Sequence, residues 1–242
     1  MIAAIGNNYQ MIEEDLIRIY PRLFHMAEDG AFASIQARGL LSTSALLDVY
    51  GITGNSRIAI EDRRRPEKVT IRRQGLPEVV IRDNKPMSDE QLAKCLQDGL
   101  SPADWYRMLN RNTFFWLHRK RLWGLLRAKA YRSSPHTILT IDTASLVAAH
   151  RDRIRLSPIN SGSTIMSAQP RGNDTFLPIL DYPYDERRKT RPVERALVEL
   201  VVEYHVPDIM SHLIAAHRFS NGELVEILRR QGSTPEDGPQ EV

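Results

Sequence analysis

The residues of this chain with the clearest chemical potential are one histidine, one glutamate and a run of aromatic side chains. His25 ends a short apolar segment, Phe114, Phe115 and Trp116 stand together in NTFFWL, and Glu199 lies in a valine-rich stretch. A fixed carboxylate stabilises positive charge that develops on a substrate. Aromatic side chains hold flat rings and exclude water. These residues form a site only if the fold brings three distant segments together.

Other common catalytic signatures are absent from the sequence. It contains no GxxxxGK[ST], HExxH, GxSxG or paired CxxC motif, which excludes the usual phosphate loops, zinc proteases and serine hydrolases. The seven histidines show no ligand spacing, so no metal site is predicted. Cys95 is the single cysteine and is interpreted as core filler. It excludes an intramolecular disulfide and favours a reducing compartment.

The N-terminal sequence and the hydropathy predict a cytoplasmic protein without a membrane partner. The first residues lack the basic start and long apolar stretch of a signal peptide. Apolar runs all fall short of the ~18–20 residues that a transmembrane helix needs.

Four apolar segments predict the strands that must position the chemical residues. They are residues 23–26, 112–117, 138–142 and 197–206. The last segment fits both a helical and an alternating pattern, but its valine content and Pro207 favour a strand. Alternation places Glu199 and Glu203 on one face of that strand, so both glutamates are candidates. Strands and helices do not alternate regularly, which favours a mixed or antiparallel α+β fold over a doubly wound parallel sheet.

The segments between and after these strands carry weaker signals. Residues 69–72 and 79–82 predict a hairpin. Asp208 predicts the start of a helix that runs to His217. Ser220 and Glu223 form a capping-box pattern and predict a further helix. The last residues, 231–242, predict a disordered tail.

The net charge of +3 permits an anionic partner without requiring one. Two basic runs, RRR at residues 63–65 and RKR at residues 119–121, are candidates for phosphate contacts. Each run also fits a solvated surface, and both interpretations stay open.

Three segments together resemble the ADP-ribosyltransferase superfamily. They are LFHMAEDGAFASIQARGLLST at 23–43, NTFFWLHRKRLWGLL at 112–126 and LVELVVEYHVPDI at 197–209. The bacterial DNA-modifying toxins and the RNA 2′-phosphotransferases are the most similar branches. The resemblance implies an α+β fold, with a split mixed β-sheet and flanking helices. It also implies a single domain over residues 1–230, with a helical and hairpin insertion around residues 57–110.

The resemblance implies a role for each matching residue. His25 matches the histidine that hydrogen-bonds an NAD ribose, and Glu199 matches the catalytic glutamate, which favours it over Glu203. The loop that approaches the nicotinamide end corresponds to Gly39, Leu41 and Ser42. The strand that walls the nicotinamide site corresponds to Phe114, Phe115 and Trp116. The pocket arginine of the family has three candidates here, Arg38, Arg57 and Arg121.

The activity implied is NAD-dependent transfer of ADP-ribose to a macromolecule, with DNA or RNA as the favoured acceptor. Branches that modify protein arginine carry an acidic or amide residue two positions before the glutamate. Leu197 stands there, which argues against an arginine target. Removal of an RNA 2′-phosphate with NAD is a variant of the same chemistry. By analogy alone, the family suggests a toxin or phage-defence role with an antitoxin or other protein partner. The alternative is a degenerate, non-enzymatic module that binds nucleic acid or a protein.

Overall fold

The computed structural model describes residues 10–165 and 168–241, in which eleven helices and eleven strands form an α+β fold. Every helix in this part of the chain is too short or too polar to traverse a lipid bilayer. The helices are α1 (Glu13–Ile19), α2 (Phe32–Arg38), α3 (Thr43–Val49), α4 (Gly54–Glu61), α5 (Asp89–Cys95), α6 (Pro102–Asn110), α7 (Arg119–Leu126), α8 (Thr143–His150), α9 (Tyr184–Arg188), α10 (Val193–Ala196) and α11 (Ile209–His212). The strands are β1 (Arg22–Glu28), β2 (Leu40–Leu41), β3 (Val69–Ile71), β4 (Val79–Ile81), β5 (Asn112–Trp116), β6 (His136–Asp142), β7 (Ile154–Ser157), β8 (Glu199–Glu203), β9 (His205–Val206), β10 (Leu213–Ser220) and β11 (Glu223–Arg229).

All four predicted core segments form strands. Residues 23–26 lie in β1, residues 112–117 cover β5, and residues 138–142 lie in β6. The ambiguous segment at 197–206 is extended as well, but it contains two strands, β8 and β9. Tyr204 separates them with a φ of 68°. A positive φ is uncommon for a residue with a side chain and breaks a continuous strand.

Seven strands form the main sheet in the order β11-β10-β6-β1-β5-β8-β7. Every pair of neighbours in it is antiparallel. For the described residues the antiparallel alternative is therefore confirmed, and the mixed sheet that the resemblance implied is wrong. The apolar pattern of a strand reports which faces are buried, and it carries no information about the direction of the neighbouring strand.

The main sheet separates between its two central strands, β1 and β5. β1 pairs with β6 from end to end, from Arg22 opposite Asp142 to Glu28 opposite His136. β5 pairs with β8 along its whole length. Between β1 and β5 a single pair connects the two halves, Phe24 opposite Trp116. Beyond this pair the strands diverge and leave a gap in the sheet.

The two faces of the sheet pack against different elements. On one face, apolar residues of the sheet and of α1, α8 and α11 form the main core, which includes Leu23, Leu139 and Leu200. On the other face, Leu122 and Trp123 of α7 pack against Phe24 and Phe219.

The predicted insertion at residues 57–110 contains the end of α4, the β3–β4 hairpin, α5 and α6. The hairpin packs with Leu47 and Tyr50 of the α3 region, and helices α5 and α6 share a small core around Leu92 and Trp105. Residues 1–9 of the predicted domain lie outside the described residues.

The C-terminal region corrects two predictions. Helix α11 stops at His212 instead of His217, and a hairpin of β10 and β11 follows. Ser220 and Glu223, interpreted as a capping box, pair across this hairpin. The turn between them is Asn221-Gly222, and both residues have positive φ. Asn-Gly is a strong hairpin signal because both central positions of a type I′ turn need positive φ.

The predicted disordered tail instead lies against α7 over its described residues, 231–241. The Trp123 indole Nε1 donates to Pro239 O at 2.8 Å, and Arg119 Nε donates to Gly238 O at 2.8 Å. Arg22 Nη2 donates to Asp237 Oδ1 at 2.6 Å. The polar composition of the segment suggested disorder, but its backbone carbonyls accept hydrogen bonds from side chains at the edge of the core.

Candidate active site

A large cleft opens where β1 and β5 separate. It has a cavity volume of about 1780 Å³, whereas pockets for single small ligands measure roughly 300–1,000 Å³. Its walls come from β1, the β2 loop, the β3–β4 hairpin, β5, α7 and β8. The cleft is therefore bounded by all three segments on which the family resemblance rests.

Six of the seven site residues predicted from the sequence line this cleft: His25, Gly39, Leu41, Ser42, Trp116 and Glu199. Phe115 does not line it, which corrects that prediction. Its side chain is buried in the main core and packs against the His25 ring with centroids 5.8 Å apart. Phe114 lines the cleft instead, because successive residues of a strand point to opposite faces.

Backbone pairing joins the three segments directly. Trp116 is opposite Phe24 on one side and opposite Glu199 on the other. In the small sheet, β2 pairs with β9 through Leu40 opposite Val206. The segments are thus adjacent in space, although His25 and Glu199 are 174 positions apart in the sequence.

Gly39 is required where the first segment crosses the third. It has a φ of +80°, and a Cβ atom added to it would lie 2.6 Å from Pro207 Cα and 2.7 Å from Val206 O. Such distances are far below ordinary van der Waals contact. The glycine therefore permits close approach of the loop to the Val-Pro turn.

His25 is held in one tautomer. Its Nδ1 lies 2.8 Å from Phe114 O, and because a carbonyl only accepts, Nδ1 must carry the hydrogen. Burial lowers the pKa of His25 to about 4. The hydrogen bond to Phe114 raises the pKa but only partly offsets burial, and the positive charge of Arg82 lowers it further. At neutral pH the ring is uncharged, and Nε2 is left as a hydrogen-bond acceptor.

Ser42 begins helix α3 as its N-cap. Its Oγ accepts from Ala45 N at 3.2 Å, and its own N–H donates to Tyr204 O at 3.0 Å. The residue is buried at the wall of the cleft. The first bond caps α3, and the second fixes the loop that contains Gly39 and Leu41 against the residue that follows β8.

Glu199 lines the cleft and is buried, with 3% of its surface exposed. Ser161 N lies 3.3 Å from Oε1 and 3.2 Å from Oε2, and Ser161 Oγ donates to Oε2 at 2.6 Å. Burial raises the pKa of Glu199 to about 7, against the opposing effects of Ser161 and of the charges of Arg121 and Arg171. The carboxyl group therefore titrates near neutral pH, as acid–base and electrostatic catalysts often do.

Glu203, the alternative left open by strand alternation, lies away from the cleft. Its carboxylate pairs with Arg155 at 3.2 Å, and its side chain is 41% exposed. It borders a separate depression of about 350 Å³. The two glutamates share a face of β8, but four residues of strand place them roughly 13 Å apart.

Arg121 is the cleft-lining member of the three candidate pocket arginines. Its Nε and Nη2 donate to Glu194 O at 3.1 and 3.0 Å, and its charge acts on Glu199. Arg57 forms ion pairs with Glu61 and Asp48. Arg38 is absent from the cleft lining.

Two polar residues of the cleft, Arg82 and Ser161, were not predicted from the sequence. Arg82 follows β4, donates to Met26 O at 3.2 Å and lies 5.1 Å from the Tyr131 ring centroid. Ser161 was part of an Asn-Ser-Gly-Ser stretch that indicates a turn and nothing about a carboxylate. The available signal was the turn itself, since turns present backbone N–H groups that have no helix or sheet partner.

Four of the six residues in the two basic runs donate to carbonyls of the chain itself, whereas Arg63, Arg64 and Lys120 are exposed. Arg64 Nε donates to Met87 O at 2.5 Å, and Arg65 Nη1 donates to Ile60 O at 2.5 Å. Arg119 binds Gly238 O and Arg121 binds Glu194 O. Guanidinium groups held by the chain's own carbonyls have fewer donors left for a phosphate backbone.

A second polar cluster comprises His150, Asp208 and His212, whose ligand-type atoms lie within 4.8 Å of one another. Arg153 Nη2 lies 2.7 Å from His150 Nδ1, so the arginine donates and Nδ1 accepts. His150 Nε2 then carries the hydrogen that goes to Asp208 Oδ1 at 2.6 Å. A metal ion needs the lone pair of that nitrogen, and metal-bound histidines donate, not accept, through the other one. The arrangement fits an internal hydrogen-bond network better than a metal site.

Comparison with known families gives one result that covers most of the chain. The model of DUF7002, described as a family of unknown function, matches residues 21–213. That range begins just before β1, ends at the first residue of β10 and includes every predicted site residue. The comparison with curated proteins produced no match.

Proposed function

The chain belongs to the family of unknown function DUF7002, and we propose that it is an NAD-dependent ADP-ribosyltransferase. One observation carries the proposal: His25 and Glu199, on opposite sides of the split in the sheet, line one cleft. The resemblance assigns these two residues to ribose binding and catalysis. The separated sheet is also the feature expected of an ADP-ribosyltransferase-like fold, which we propose for this domain.

The chemistry suits the polar groups of the cleft. NAD reacts with an acceptor X–H to give ADP-ribosyl-X, nicotinamide and a proton. As the bond between nicotinamide and ribose breaks, the bonding electrons leave with nicotinamide and positive charge grows on the ribose, as in glycoside hydrolysis. The Glu199 carboxylate would oppose that charge or orient a ribose hydroxyl. Ser161 holds it through two donors.

The remaining cleft residues supply recognition. His25 Nε2 accepts a hydrogen bond, so a ribose hydroxyl suits it better than a phosphate, which offers only acceptors at neutral pH. Phe114 and Trp116 line the same cleft and provide the wall against which nicotinamide would lie. Leu41 and Gly39 contribute the backbone of the facing loop.

The charged side chains that line the cleft give little information about the class of acceptor. The cleft volume leaves room for an acceptor beside NAD. Its lining contains six cationic side chains, Arg65, Arg82, Lys120, Arg121, Lys129 and Arg195, and six acidic ones, Glu28, Asp29, Glu78, Asp83, Glu194 and Glu199. A balanced lining does not select strongly for a polyanion. We keep DNA or RNA as the proposed acceptor, and the test scores DNA, RNA and protein separately.

The test is incubation of the full chain with NAD labelled in the ADP-ribose half. Transfer of label to one acceptor class, with equimolar release of nicotinamide, is the expected result. An RNA carrying a 2′-phosphate is included, because its loss would identify the phosphotransferase variant of this chemistry. If NAD is neither bound nor consumed, the non-enzymatic binding module becomes the better description.

Calorimetric titration with NAD tests the binding half independently. His25→Ala removes the acceptor Nε2 and should weaken binding by about 1–3 kcal/mol, the range for a lost buried hydrogen bond. Binding to the unaltered protein should hardly change between pH 6 and pH 8 on account of His25, since its pKa of about 4 keeps it neutral. Equal affinity of His25→Ala and the unaltered protein would remove His25 from the site.

A further inference from the structure

Arg171 lies close to the catalytic candidate, although it is neither in the cleft lining nor in any of the three resemblance segments. Its side chain is almost completely buried, with 1% of the residue exposed. Three of its nitrogens donate to three backbone carbonyls: Nη1 to Ser161 O at 3.0 Å, Nη2 to Ser163 O at 3.1 Å and Nε to Gln169 O at 3.1 Å. The planar guanidinium group therefore determines the path of the loop at residues 160–163.

The same loop provides the donors that meet Glu199. Ser161 accepts from Arg171 through its carbonyl and donates to Glu199 through its N–H and its hydroxyl. Loops with turn chemistry are usually mobile, and an isolated serine on such a loop would sample many orientations. Because Arg171 binds carbonyls of two loop residues, the donors of Ser161 are held in the direction of the carboxyl group.

The chain that follows this loop is attached to the insertion at Thr164 and at Arg171. Thr164 N donates to Pro86 O at 2.9 Å, and Ser88 N donates to Thr164 Oγ1 at 2.8 Å. Arg171 N donates to Cys95 O at 3.0 Å. The Arg171 guanidinium lies 5.5 Å from the centroid of the Trp105 ring of α6. The insertion thus supports Glu199 from behind the cleft.

Electrostatics gives Arg171 a second effect on Glu199. The groups that act on this carboxyl are Ser161, Arg121 of α7 and Arg171, and all of them favour its ionised form against burial. The charge of Arg171 is itself costly to bury, and burial lowers its pKa. The guanidinium donates to carbonyls in these three bonds, and burial of a cation without a paired carboxylate costs free energy. The charge of Glu199 offsets part of that cost.

We propose that Arg171 is a positioning residue for Glu199, which orients the Ser161 donors and couples helices α5 and α6 to the cleft. The proposal rests on the proposed function only for the catalytic task of Glu199. The arrangement of the carboxyl group itself is measurable without NAD.

The experiment follows Glu199 directly, by the ¹³C chemical shift of its carboxyl group as a function of pH, in protein labelled at glutamate. Glu199→Gln identifies the signal. Arg171→Met keeps much of the side-chain volume and removes all three donors and the charge. We expect the titration midpoint of Glu199 to rise by about one pH unit, because burial then acts with less opposition. The Ser161 amide should exchange with solvent at least ~10-fold faster.

Arg65→Met is the matched control. Arg65 is also a buried arginine held by backbone carbonyls, those of Ile60 and Arg82. The cations that act on Glu199 are Arg121 and Arg171. Arg65→Met should lower stability as Arg171→Met does while it leaves the Glu199 midpoint in place. Arg171→Lys keeps the positive charge but has fewer hydrogen-bond donors than arginine. The titration midpoint of Glu199 in this variant should therefore fall between those of Arg171→Met and the unaltered protein.

Ser161→Ala keeps the proposal testable if Arg171→Met fails to fold. It removes the hydroxyl donor and retains the N–H, so the Glu199 midpoint should again rise. The combination of Ser161→Ala with Arg171→Lys should shift the midpoint by less than the sum of the single shifts, because both act through one residue. Additive shifts, or equal midpoints in the Arg171 variants and in Arg65→Met, would overturn the proposal.

The readouts separate this proposal from the proposed function. If labelled NAD is not consumed but the midpoint moves as described, Arg171 positions Glu199 and the enzymatic assignment is wrong. If NAD is consumed and the Arg171 variants leave the midpoint and the pH profile unchanged, the enzymatic assignment stands and the positioning role is wrong.

Discussion

At the scale of single residues, burial determines the protonation state of two polar side chains that line the cleft, His25 and Glu199. His25 is neutral and presents an acceptor, because Phe114 O takes the Nδ1 hydrogen and burial lowers its pKa to about 4. Glu199 titrates near neutral pH, because burial raises its pKa to about 7 while Ser161 favours the anion. One residue therefore supplies recognition without charge, and the other supplies a charge that depends on pH.

The charge of Glu199 is tested by Glu199→Gln, which preserves shape and removes the carboxylate. Transfer of ADP-ribose should fall at least ~100-fold, as when a single electrostatic stabiliser is lost, whereas NAD affinity should change little. Nicotinamide release measures the first quantity and calorimetry the second.

Glu203→Gln is the internal control on the same strand. Its carboxylate pairs with Arg155 outside the cleft, so this variant should retain most of the activity. If Glu203→Gln loses transfer activity and Glu199→Gln retains it, Glu203 is the catalytic carboxylate in spite of its position.

The raised pKa of Glu199 also predicts how activity and stability depend on pH. The carboxylate is the active form, so transfer should increase as the pH rises through about 7. Stability should change in the opposite direction. Between the ordinary glutamate pKa and about 7, the folded protein keeps a proton that the unfolded chain releases, so the free energy of unfolding falls as pH rises. The full effect is about 3 kcal/mol at pH 8 relative to pH 4.

Urea unfolding at several pH values measures this effect when the unaltered protein is compared with Glu199→Gln. The difference in unfolding free energy between the two should favour the variant increasingly from pH 5 to pH 8. A difference that is independent of pH would show that Glu199 titrates as an ordinary exposed carboxyl group.

At the scale of elements, the cleft exists because β1 and β5 share one residue pair and then diverge. Phe24 opposite Trp116 is that pair, and His25 is the first residue beyond it on β1. The small β2–β9 sheet holds the facing loop in place, and Gly39 allows it to cross Pro207. Strand divergence and a close backbone crossing thus define opposite sides of the site.

Substitution of this glycine tests the crossing. Gly39→Ala should destabilise the protein by about 2–4 kcal/mol, because the added Cβ meets rigid backbone and the residue has a positive φ. Gly75→Ala is the matched control, since Gly75 has a φ of +79° and nothing within 4 Å of an added Cβ. Chemical denaturation should give a clearly larger loss for Gly39→Ala. Equal losses would mean that the crossing relaxes easily.

At the scale of the whole molecule, the described C-terminal residues pack onto the helix that walls the cleft. Trp123 of α7 faces the core, and its indole nitrogen is satisfied by Pro239 O. Arg119 and Arg22 bind the same segment. Removal of the segment would leave these donors without their present partners, and α7 carries Arg121 into the cleft.

Deletion of residues 231–242 should therefore lower the free energy of unfolding by about 1–3 kcal/mol, the cost of unpaired and partly buried donors. Glu241→Gln is the control, because its exposed pair with Arg127 is worth about 0–1 kcal/mol at most. Unchanged stability of the truncated chain would support the disordered tail that the composition suggested.

Local features of this protein could be predicted from the sequence because they depend on neighbouring residues. The strands at 23–26, 112–117 and 138–142 follow from apolar runs. The alternation of β5 also argues against the prediction that Phe115 and Trp116 both line the cleft, because consecutive residues of a strand point to opposite faces. The Asn221-Gly222 turn likewise marked the β10–β11 hairpin, although a capping-box pattern concealed it.

Only the tertiary structure decided which of these local features meet. The antiparallel directions, the divergence of β1 from β5, and the choice between Glu199 and Glu203 depend on residues that lie far apart in the sequence, such as Phe24 and Trp116. The same is true of the bond from Phe114 O to His25 and of the tail against α7. A residue's own sequence neighbourhood determines its periodicity and turn propensity, whereas its partners across a sheet are selected by the packing energy of the whole chain.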